Sequence, residues 1–475
     1  MNYPGININK QLARYIIGDM FSGAIAFWAF NIIRYFLLDG IHKDYSTLWH
    51  FLGSTKLIIE QSVVPIYLIG IYWLSGYYNR PFNKSRLEEF NTTFFSEVIN
   101  TIIIYLVLLI NDQTGKRIIN YEVIWVLFGT FFILTYFCRI LITNYALNHF
   151  KNRQWKIKVL ILGNSKVSRK VARQLRNDKR SISYHIVGFV ELPGEDKVKD
   201  NERVIPFSKL KDILETKIIN QVILAPQTRN DRKVMDILSQ LFPLKIPVKI
   251  SPDTFSYITS AIRLSDIYGE PFIDLTRPGI SEASKNIKRS FDVVFSCFTL
   301  LCLSPLYGIL SILVATTSRG KVFYSQERIG RYQKPFRIYK FRTMYENAEE
   351  NGPQLSHEND HRITKVGGWM RKYRLDELPQ FWNVLKGDMS VVGPRPEREF
   401  FIRQIVERAP YYTLVCQVRP GITSWGMVKY GYASTVNQMV ERTQFDLIYL
   451  ANMSLSVDCK ILLYTLKTVF GGEGL

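Results

Sequence analysis

Two adjacent carboxylates, Asp376 and Glu377, stand in the segment 374–380, which reads Arg-Leu-Asp-Glu-Leu-Pro-Gln. Neighbouring residues in the first turn of a helix point about 100° apart. One carboxylate can therefore face a phosphorus atom as a nucleophile while the other binds a metal ion or accepts a proton. The same residues also suit a plain helix start, with Asp376 as the N-cap, Glu377 complementing the helix dipole and Pro379 in the first turn. The two interpretations are compatible.

Lys340 and Arg342 are candidate phosphate-binding residues in a basic and aromatic stretch, FRIYKFRTM at 336–344. The stretch has a strand-like pattern, and residues two apart in a strand point to the same side. Two cations on one face suit phosphate oxygens. The alternative for such a run is a basic face that is solvated or that binds lipid headgroups.

Two further arginines are held on proline-containing segments. Arg395 lies between Pro394 and Pro396, so its backbone is restrained and its guanidinium, whose planar fork matches a phosphate, is presented at little entropic cost. A rigid turn is the simpler explanation for this motif alone. Arg419, followed by a proline and near Trp425, is a further candidate for binding a nucleotide or a membrane edge.

An apolar segment at 291–316 is broken near its middle by Ser304 and Pro305. Proline bends a helix, and bent backbone within a membrane persists only where protein satisfies its polar groups. Basic residues stand on both sides of the segment, which is the mark of cytoplasmic flanks. We therefore predict a helix, a break and a second helix that enter and leave the membrane by one leaflet.

Four apolar segments near 15–38, 57–78, 94–111 and 122–147 are each long enough to cross a bilayer of about 30 Å. Bases follow the second segment and the fourth, Arg80 and Arg153 among them. The positive-inside rule then places the N-terminus and the chain after residue 150 in the cytoplasm.

From residue 156 the pattern changes to alternating strands and helices, with strands expected at 158–163, 185–190 and 221–226 and a helix at 165–177. The first turn, Gly163 to Ser168, keeps only the first glycine of the dinucleotide-binding fingerprint. Ser165 stands where a glycine would let a pyrophosphate approach the backbone. A structural or regulatory module is thus favoured over a dinucleotide site.

Composition agrees with a membrane protein that meets anionic partners. The chain has 475 residues, 47% of them hydrophobic, and a formal net charge of +20. Its five cysteines include no CxxC pair, so we expect neither a disulfide framework nor a zinc site. A nucleic-acid binder is excluded because the cations adjoin the membrane segments rather than a soluble face.

In this order, the motifs resemble the bacterial sugar transferase family, the monotopic phosphoglycosyl transferases that begin capsule, exopolysaccharide and O-antigen repeats. The resemblance extends over about 285–470, and the four helices and middle domain look like the long-chain polyprenyl glycosylphosphotransferases. The matching stretches are KRSFDVVF at 288–295, Ser304-Pro305, QERIG at 326–330, FRIYKFRTM at 336–344, RITKVGG at 362–368, LDELPQ through GPRP at 375–396, and RPGITSW at 419–425. Two departures, Tyr373-Arg374 in place of a small polar pair and Ser424 in place of glycine, bear on substrate choice.

The resemblance implies that Asp376 attacks the β-phosphate of a UDP-sugar, expels UMP and forms a phosphosugar-aspartyl intermediate. Polyprenyl phosphate then takes the sugar phosphate. Glu377 would help to hold Mg²⁺ or relay a proton. Phosphate charge would be neutralised by Lys340, Arg342, Arg362 and Arg395.

The predicted architecture is a multidomain membrane protein. Residues 1–150 form a four-helix transmembrane bundle, 151–284 a Rossmann-like α/β cytoplasmic domain with a linker, and 285–475 an α+β catalytic domain with the re-entrant helix. We expect it in the bacterial inner (cytoplasmic) membrane, with the catalytic domain on the cytoplasmic face. The expected partners are a UDP-sugar, undecaprenyl phosphate and membrane lipids.

Some alternatives stay open at this point. A membrane-anchored, nucleotide-sensing regulator or scaffold explains the charge and the helices, although not the Asp-Glu pair between arginines. The transferred sugar is not encoded by a motif, and glucose and galactose phosphates are the leading expectations. A homodimer through the N-terminal helices or the middle domain is also open.

Overall fold

The structure is a computed structural model of the chain. The residues that it describes are 8–38, 41, 44–79, 81–82, 84, 86–111, 121–152, 155–177, 184–192, 198, 202–216, 219–226, 236–238, 240–241, 244, 246–250, 273–274, 280–346, 348, 354, 360–431 and 433–471. Arg80 and Arg153, which contribute to the predicted orientation, and most of the predicted linker lie outside these residues.

Four long helices form the N-terminal part, as predicted, and each is long and apolar enough to cross a membrane. They are α1 (Ile8–Leu37), α3 (Thr55–Leu74), α4 (Arg86–Asn111) and α5 (Tyr121–Lys151), with a short α2 (Leu48–Leu52) between the first two. The first and third helices begin several residues before the predicted segments. These added turns carry buried polar residues, Gln11 in the first helix and Glu89 in the third.

Charged groups inside this bundle are paired. Arg139 donates to both carboxylate oxygens of Asp19, from Nε to Oδ1 at 2.7 Å and from Nη2 to Oδ2 at 3.0 Å. Tyr78 donates to Asp19 Oδ2 at 2.8 Å, and Tyr77 donates to Glu89 Oε2 at 2.8 Å. Such partners are what allow ionisable groups to lie among apolar helices.

A six-stranded sheet follows, in the order β3-β2-β1-β4-β5-β6, with the first five strands parallel and the last pair antiparallel. Its elements are β1 (Ile157–Leu162), α6 (Lys166–Asn177), β2 (Tyr184–Val190), β3 (Val204–Ile205), α7 (Leu210–Glu215), β4 (Gln221–Leu224), β5 (Val248–Ile250) and β6 (Ile273–Asp274). The predicted strands and helix thus occur within a few residues of their expected bounds. Gly163 has φ +124°, and a Cβ there would lie 2.4 Å from Ser168 Oγ, so the first glycine is needed for a tight turn.

The apolar segment at 291–316 is broken as predicted. Helix α8 (Glu282–Cys302) and helix α9 (Ser304–Thr317) meet at Leu303 with a bend of 63°. Pro305 lies in the first turn of α9, where its missing amide costs no hydrogen bond, and Ser304 Oγ donates to Leu301 O at 2.8 Å. Helix α8 begins earlier than the apolar segment, with Ser281 as its N-cap.

The remainder is a small α+β unit around an antiparallel hairpin and a two-stranded parallel sheet. The hairpin pairs β7 (Phe323–Ile329) with β8 (Pro335–Phe341), and the parallel pair is β9 (Ser390–Val392) with β10 (Gly421–Thr423). The helices are α10 (Lys365–Lys372), α11 (Gln380–Lys386), α12 (Glu399–Arg408), α13 (Trp425–Lys429), α14 (Val436–Ala451) and α15 (Leu455–Gly471). The exact domain boundaries stay predictions.

Candidate active site

Asp376 and Glu377 lie in a single turn of 3-10 helix, Leu375–Glu377, between α10 and α11. Arg374 precedes the turn in the left-handed conformation (φ 53°), two residues after the end of α10. The helix that follows begins only at Gln380, with Pro379 before it and no side-chain cap. The interpretation of Asp376 as the N-cap of a helix is therefore wrong, because Asp376 lies within the 3-10 turn and helix α11 begins four residues later.

Glu377 is buried and surrounded by three cations. Its Oε1 lies 2.6 Å from Lys340 Nζ and 3.4 Å from Arg395 Nη2, and its Oε2 lies 3.4 Å from Arg374 Nη1. Burial by itself would raise the pKa of Glu377, but these cations outweigh it and hold the pKa below its usual range. Glu377 is accordingly a permanent anion at neutral pH.

Asp376 is buried to the same extent but has a different environment. Burial raises the pKa of its carboxyl, and the repulsion from Glu377 adds to this effect against the attraction of Lys340. Among the residues that the structure describes, none forms a hydrogen bond or ion pair with this carboxylate. Its oxygens are thus available to an incoming group, as a nucleophile requires.

Both carboxylates line a cavity of about 470 Å³. The predicted residues Lys340, Arg342, Arg362 and Arg395 line it as well. Five further arginines that were not among the predicted site residues also contribute, namely Arg328, Arg371, Arg374, Arg398 and Arg442. Arg371 and Arg374 stand five and two residues before Asp376, so their closeness along the chain was the signal that could have identified them.

The predicted cations are held by different contacts. Arg395 also approaches Met427 Sδ at 3.1 Å, and Arg362 is held by Asp360 through Nε–Oδ1 at 2.8 Å and Nη2–Oδ2 at 2.6 Å. Arg342 donates from Nη2 to Ser318 O at 2.7 Å, just beyond the end of α9. It thereby joins the cavity to the apolar helix.

Arg419 lies apart from this group, and its assignment as a phosphate-binding residue stays a prediction. It does not line the cavity, and its Nε donates to Gly387 O at 2.9 Å at the end of α11. Arg419 stands two residues before β10, whose first residue Gly421 pairs with Ser390 of β9. Its role there is to satisfy a backbone carbonyl that the helix leaves without a partner.

The cavity adjoins the bent helix pair. Tyr307 of α9 donates to Leu378 O at 2.7 Å, directly after the Asp-Glu turn. Leu310 and Val314 of α9 pack with Phe341 of β8 and Met370 of α10 in one buried cluster. The break at Ser304 and Pro305 therefore does not line the site but sets the direction of the helix that supports it.

Comparison with known proteins identifies the family of this chain. The profile of a family described as bacterial sugar transferase matches residues 283–472. A UDP-glucose:undecaprenyl-phosphate glucose-1-phosphate transferase of Escherichia coli is 31% identical over 320 residues, which cover 67% of this chain and 68% of that protein. The chain belongs to the bacterial sugar transferase family.

Other relatives of this sugar transferase differ in how much of it they cover. A UDP-N-acetylgalactosamine-undecaprenyl-phosphate N-acetylgalactosaminephosphotransferase of Aeromonas hydrophila is 42% identical over 188 residues, 40% of this chain and 44% of that protein. An undecaprenyl-phosphate galactose phosphotransferase of Salmonella typhimurium is 29% identical over 477 residues, 94% of each chain. The match thus spans less than half of the Aeromonas protein and nearly all of the Salmonella protein. The predicted family is confirmed, and the predicted enzyme class, a phosphoglycosyl transferase, agrees with these names.

The donor groups of this sugar transferase bear on the expected Mg²⁺. Within the described part of the chain, no group of three His, Cys, Asp or Glu side chains is arranged to hold a metal ion. Mg²⁺ is usually held by one or two carboxylates together with substrate phosphates. Glu377 and the neighbouring Asp376 supply carboxylates at the cavity, so the donor set fits an ion that is completed by a phosphorylated substrate.

Proposed function

We propose that this sugar transferase moves a hexose 1-phosphate from a UDP-sugar to undecaprenyl phosphate, releases UMP and so starts the assembly of a polysaccharide repeat. The observation that carries the proposal is Asp376, a buried carboxylate without an ion-pair partner among the described residues, in a cavity lined by cations beside a bent apolar helix. The names of the relatives from Escherichia coli and Salmonella typhimurium support the same reaction.

Asp376 acts as the nucleophile in this proposal. A carboxylate oxygen attacks the β-phosphorus of the UDP-sugar, the bond from that phosphorus to the bridging oxygen breaks, and UMP leaves. The sugar phosphate is then an acyl phosphate on Asp376. An oxygen of undecaprenyl phosphate attacks the same phosphorus, which restores the carboxylate and yields the lipid diphosphate sugar.

The surrounding cations supply positioning and charge neutralisation, which dominate catalysis of phosphoryl transfer. Lys340, Arg374 and Arg395 already converge on Glu377, so an incoming diphosphate meets donors that are held in place. Glu377 keeps these cations together and would hold Mg²⁺. When bound, the ion would neutralise charge on the diphosphate and on the leaving UMP.

The position of the cavity suits a lipid acceptor. We propose that α8 and α9 enter and leave the cytoplasmic leaflet of the inner membrane, because bases flank both ends and the pair is bent by 63°. A site beside α9 then lies at the interface where a lipid phosphate resides. The middle domain is proposed to be a Rossmann-like module without dinucleotide, since the side chains of Ser165 and Ser168 fill its first turn with their oxygens 3.2 Å apart.

The proposal is tested with the protein in lipid nanodiscs and a panel of UDP-sugars that includes glucose, galactose and N-acetylgalactosamine. UMP release is measured with and without undecaprenyl phosphate. We expect one sugar to give sustained UMP release only when the lipid acceptor is present. Lack of UMP release from every sugar would favour the alternative function, a membrane-anchored regulator or scaffold.

A further inference from the structure

The short segment 75–79 joins the N-terminal bundle to the catalytic unit. Gly76 has φ +77° and lies against the first turn of α8, where a Cβ would come within 2.6 Å of Ala283 N and 2.8 Å of Glu282 Cβ. Only glycine tolerates both that conformation and that contact. The backbone of the bundle therefore touches the backbone of the catalytic unit directly at this point.

Hydrogen bonds fix the same contact. Asn286, which is buried on α8, donates from Nδ2 to the carbonyl oxygen of Trp73, near the end of α3. Asn79 donates to Asn286 Oδ1 at 3.2 Å and to Glu282 Oε2 at 3.0 Å. Residues more than 200 positions apart are thus joined by polar contacts with defined geometry, unlike the sliding contacts of apolar helices.

The other side of the segment is held by the bundle. Tyr77 and Tyr78, between Gly76 and Asn79, donate to the buried carboxylates of Glu89 and Asp19. Asp19 is in turn held by Arg139 of α5. Because these charges are buried and paired, the segment 75–79 has little freedom to move relative to the bundle.

Helix α8 is also hydrogen-bonded to the two elements next to the active-site residues. Arg289 donates to Val384 O at 2.7 Å and to Leu385 O at 3.0 Å, at the end of the helix that follows the Asp-Glu turn. Asp292 accepts from Ser390 Oγ at 2.8 Å and from Val391 N at 3.0 Å, on the strand that leads to Arg395. Both elements that carry the site are thereby bonded to α8.

We propose that the contact between segment 75–79 and α8 sets the position of the catalytic cavity relative to the bilayer, and that Asn286 is a positioning residue for the lipid acceptor. The inference rests on the proposed function and adds a role for the N-terminal bundle beyond anchoring. A soluble UDP-sugar reaches the cavity wherever the unit lies, whereas a membrane-bound acceptor reaches Asp376 only when the cavity lies at the correct depth. Loss of the contact should therefore affect the second half-reaction more than the first.

The test uses the full-length protein in nanodiscs and compares Asn286→Leu with Val294→Leu, a control on an exposed part of the same helix. Labelled UDP-sugar without acceptor measures the first half-reaction as label on the protein, and chase with undecaprenyl phosphate measures the second. We expect Asn286→Leu to slow the second half-reaction at least about tenfold more than the first, a size typical of small displacements of reacting groups. Val294→Leu should leave the ratio of the rates of the two half-reactions unaltered.

Two further variants keep the test decisive. Asn79→Ala, at an exposed position, removes the two hydrogen bonds from Asn79 to α8 and keeps the one from Asn286 to Trp73 O, so it should slow the second half-reaction selectively even if Asn286→Leu does not fold. The double variant Tyr78→Phe with Asn79→Ala should slow the second half-reaction no more than the more damaging of the two single substitutions, because both act through one segment. Equal slowing of both half-reactions, no slowing, or fully additive losses would overturn the inference. Absence of label and of UMP release in the unmodified protein would instead remove the proposed function.

Discussion

Lys340 Nζ lies 2.6 Å from Glu377 Oε1, and this ion pair makes two adjacent carboxylates chemically different. Glu377 takes the ion pairs and its pKa is held low, although burial alone would raise it. Asp376 is one residue earlier and equally buried, and burial raises its pKa. One carboxylate thus holds the cations by ion pairs, while the other has no ion pair among the described residues.

Asp376→Asn should abolish turnover while the protein stays folded. The amide keeps the size of the side chain but lacks the anionic oxygen that attacks phosphorus. We expect at least about a thousandfold loss of UMP release, since loss of a covalent nucleophile removes the whole pathway. Labelled UDP-sugar should leave no sugar phosphate on the variant. Normal turnover in this variant would refute the proposed chemistry, and full activity of the unmodified protein without trapped label would favour direct attack by the lipid phosphate.

Glu377→Gln should impair turnover by releasing Lys340, Arg374 and Arg395 from their common anion. If Glu377 also binds Mg²⁺, the ion concentration that gives half-maximal activity should rise. Unfolding free energy should fall by about 1–2 kcal/mol because charge-assisted hydrogen bonds are lost. Glu399→Gln, which breaks an exposed pair with Arg403, is the matched control and should alter neither quantity. A variant with unaltered Mg²⁺ dependence would argue against metal binding by Glu377.

Activity should depend on pH through two groups in the cavity. The reactive form of Asp376 is the carboxylate, so activity should fall as pH drops through its pKa, and burial raises that pKa above the range of an exposed aspartate. Burial lowers the pKa of Lys340. Activity should therefore also fall at alkaline pH, and at a lower pH than if the group were an exposed lysine. Rate measurements of the first half-reaction across pH provide the check. A flat profile on the acidic side would contradict the role of Asp376.

The free energy of unfolding should also depend on pH through Asp376, but in the opposite direction to activity. Because the pKa of Asp376 is raised in the folded state, folding favours the protonated form, and stability falls as pH rises through that pKa. Asp376→Asn removes this titration. Chemical unfolding of the variant and the unmodified protein should therefore differ more at neutral pH than at acidic pH, with the variant the more stable at neutral pH.

Both ends of the bent helix pair should face the cytoplasm. In a cysteine-free background, Lys285→Cys in the first turn of α8 and Lys321→Cys after α9 should react with a membrane-impermeant reagent from the same side. Reaction from opposite sides would show a spanning helix. Pro305→Ala should straighten the pair and reduce activity more than stability, because α9 supports the cavity through Tyr307.

A truncated chain of residues 280–475 should retain some transfer. All residues assigned to the chemistry lie after 285, and the middle domain has an incomplete glycine fingerprint. We expect label from UDP-sugar to be trapped on the truncated protein, with poorer use of the lipid acceptor because the contact to Asn79 is missing. A folded but wholly inactive truncated protein would mean that residues before 280 contribute to the site.

The sequence by itself determined the features that are local or periodic. Asp376 and Glu377 are adjacent, Arg395 stands between prolines, and the apolar helices and the break at Pro305 follow from runs of residue types. Such patterns are recognisable because their geometry depends on neighbours along the chain. Some element boundaries and the cap assignment of Asp376 were wrong, since the left-handed Arg374 and the 3-10 turn after it have no signal in the composition.

Tertiary structure decided which of these features meet. Lys340 and Arg395 reach Glu377 across 37 and 18 positions, whereas Arg419, equally basic and equally restrained by proline, is directed to the end of α11. The pairs Asp19 with Arg139 and Asn79 with Asn286 span 120 and 207 positions. Contacts over such separations depend on how helices and strands pack against one another, and packing is a property of the whole chain that no single segment encodes.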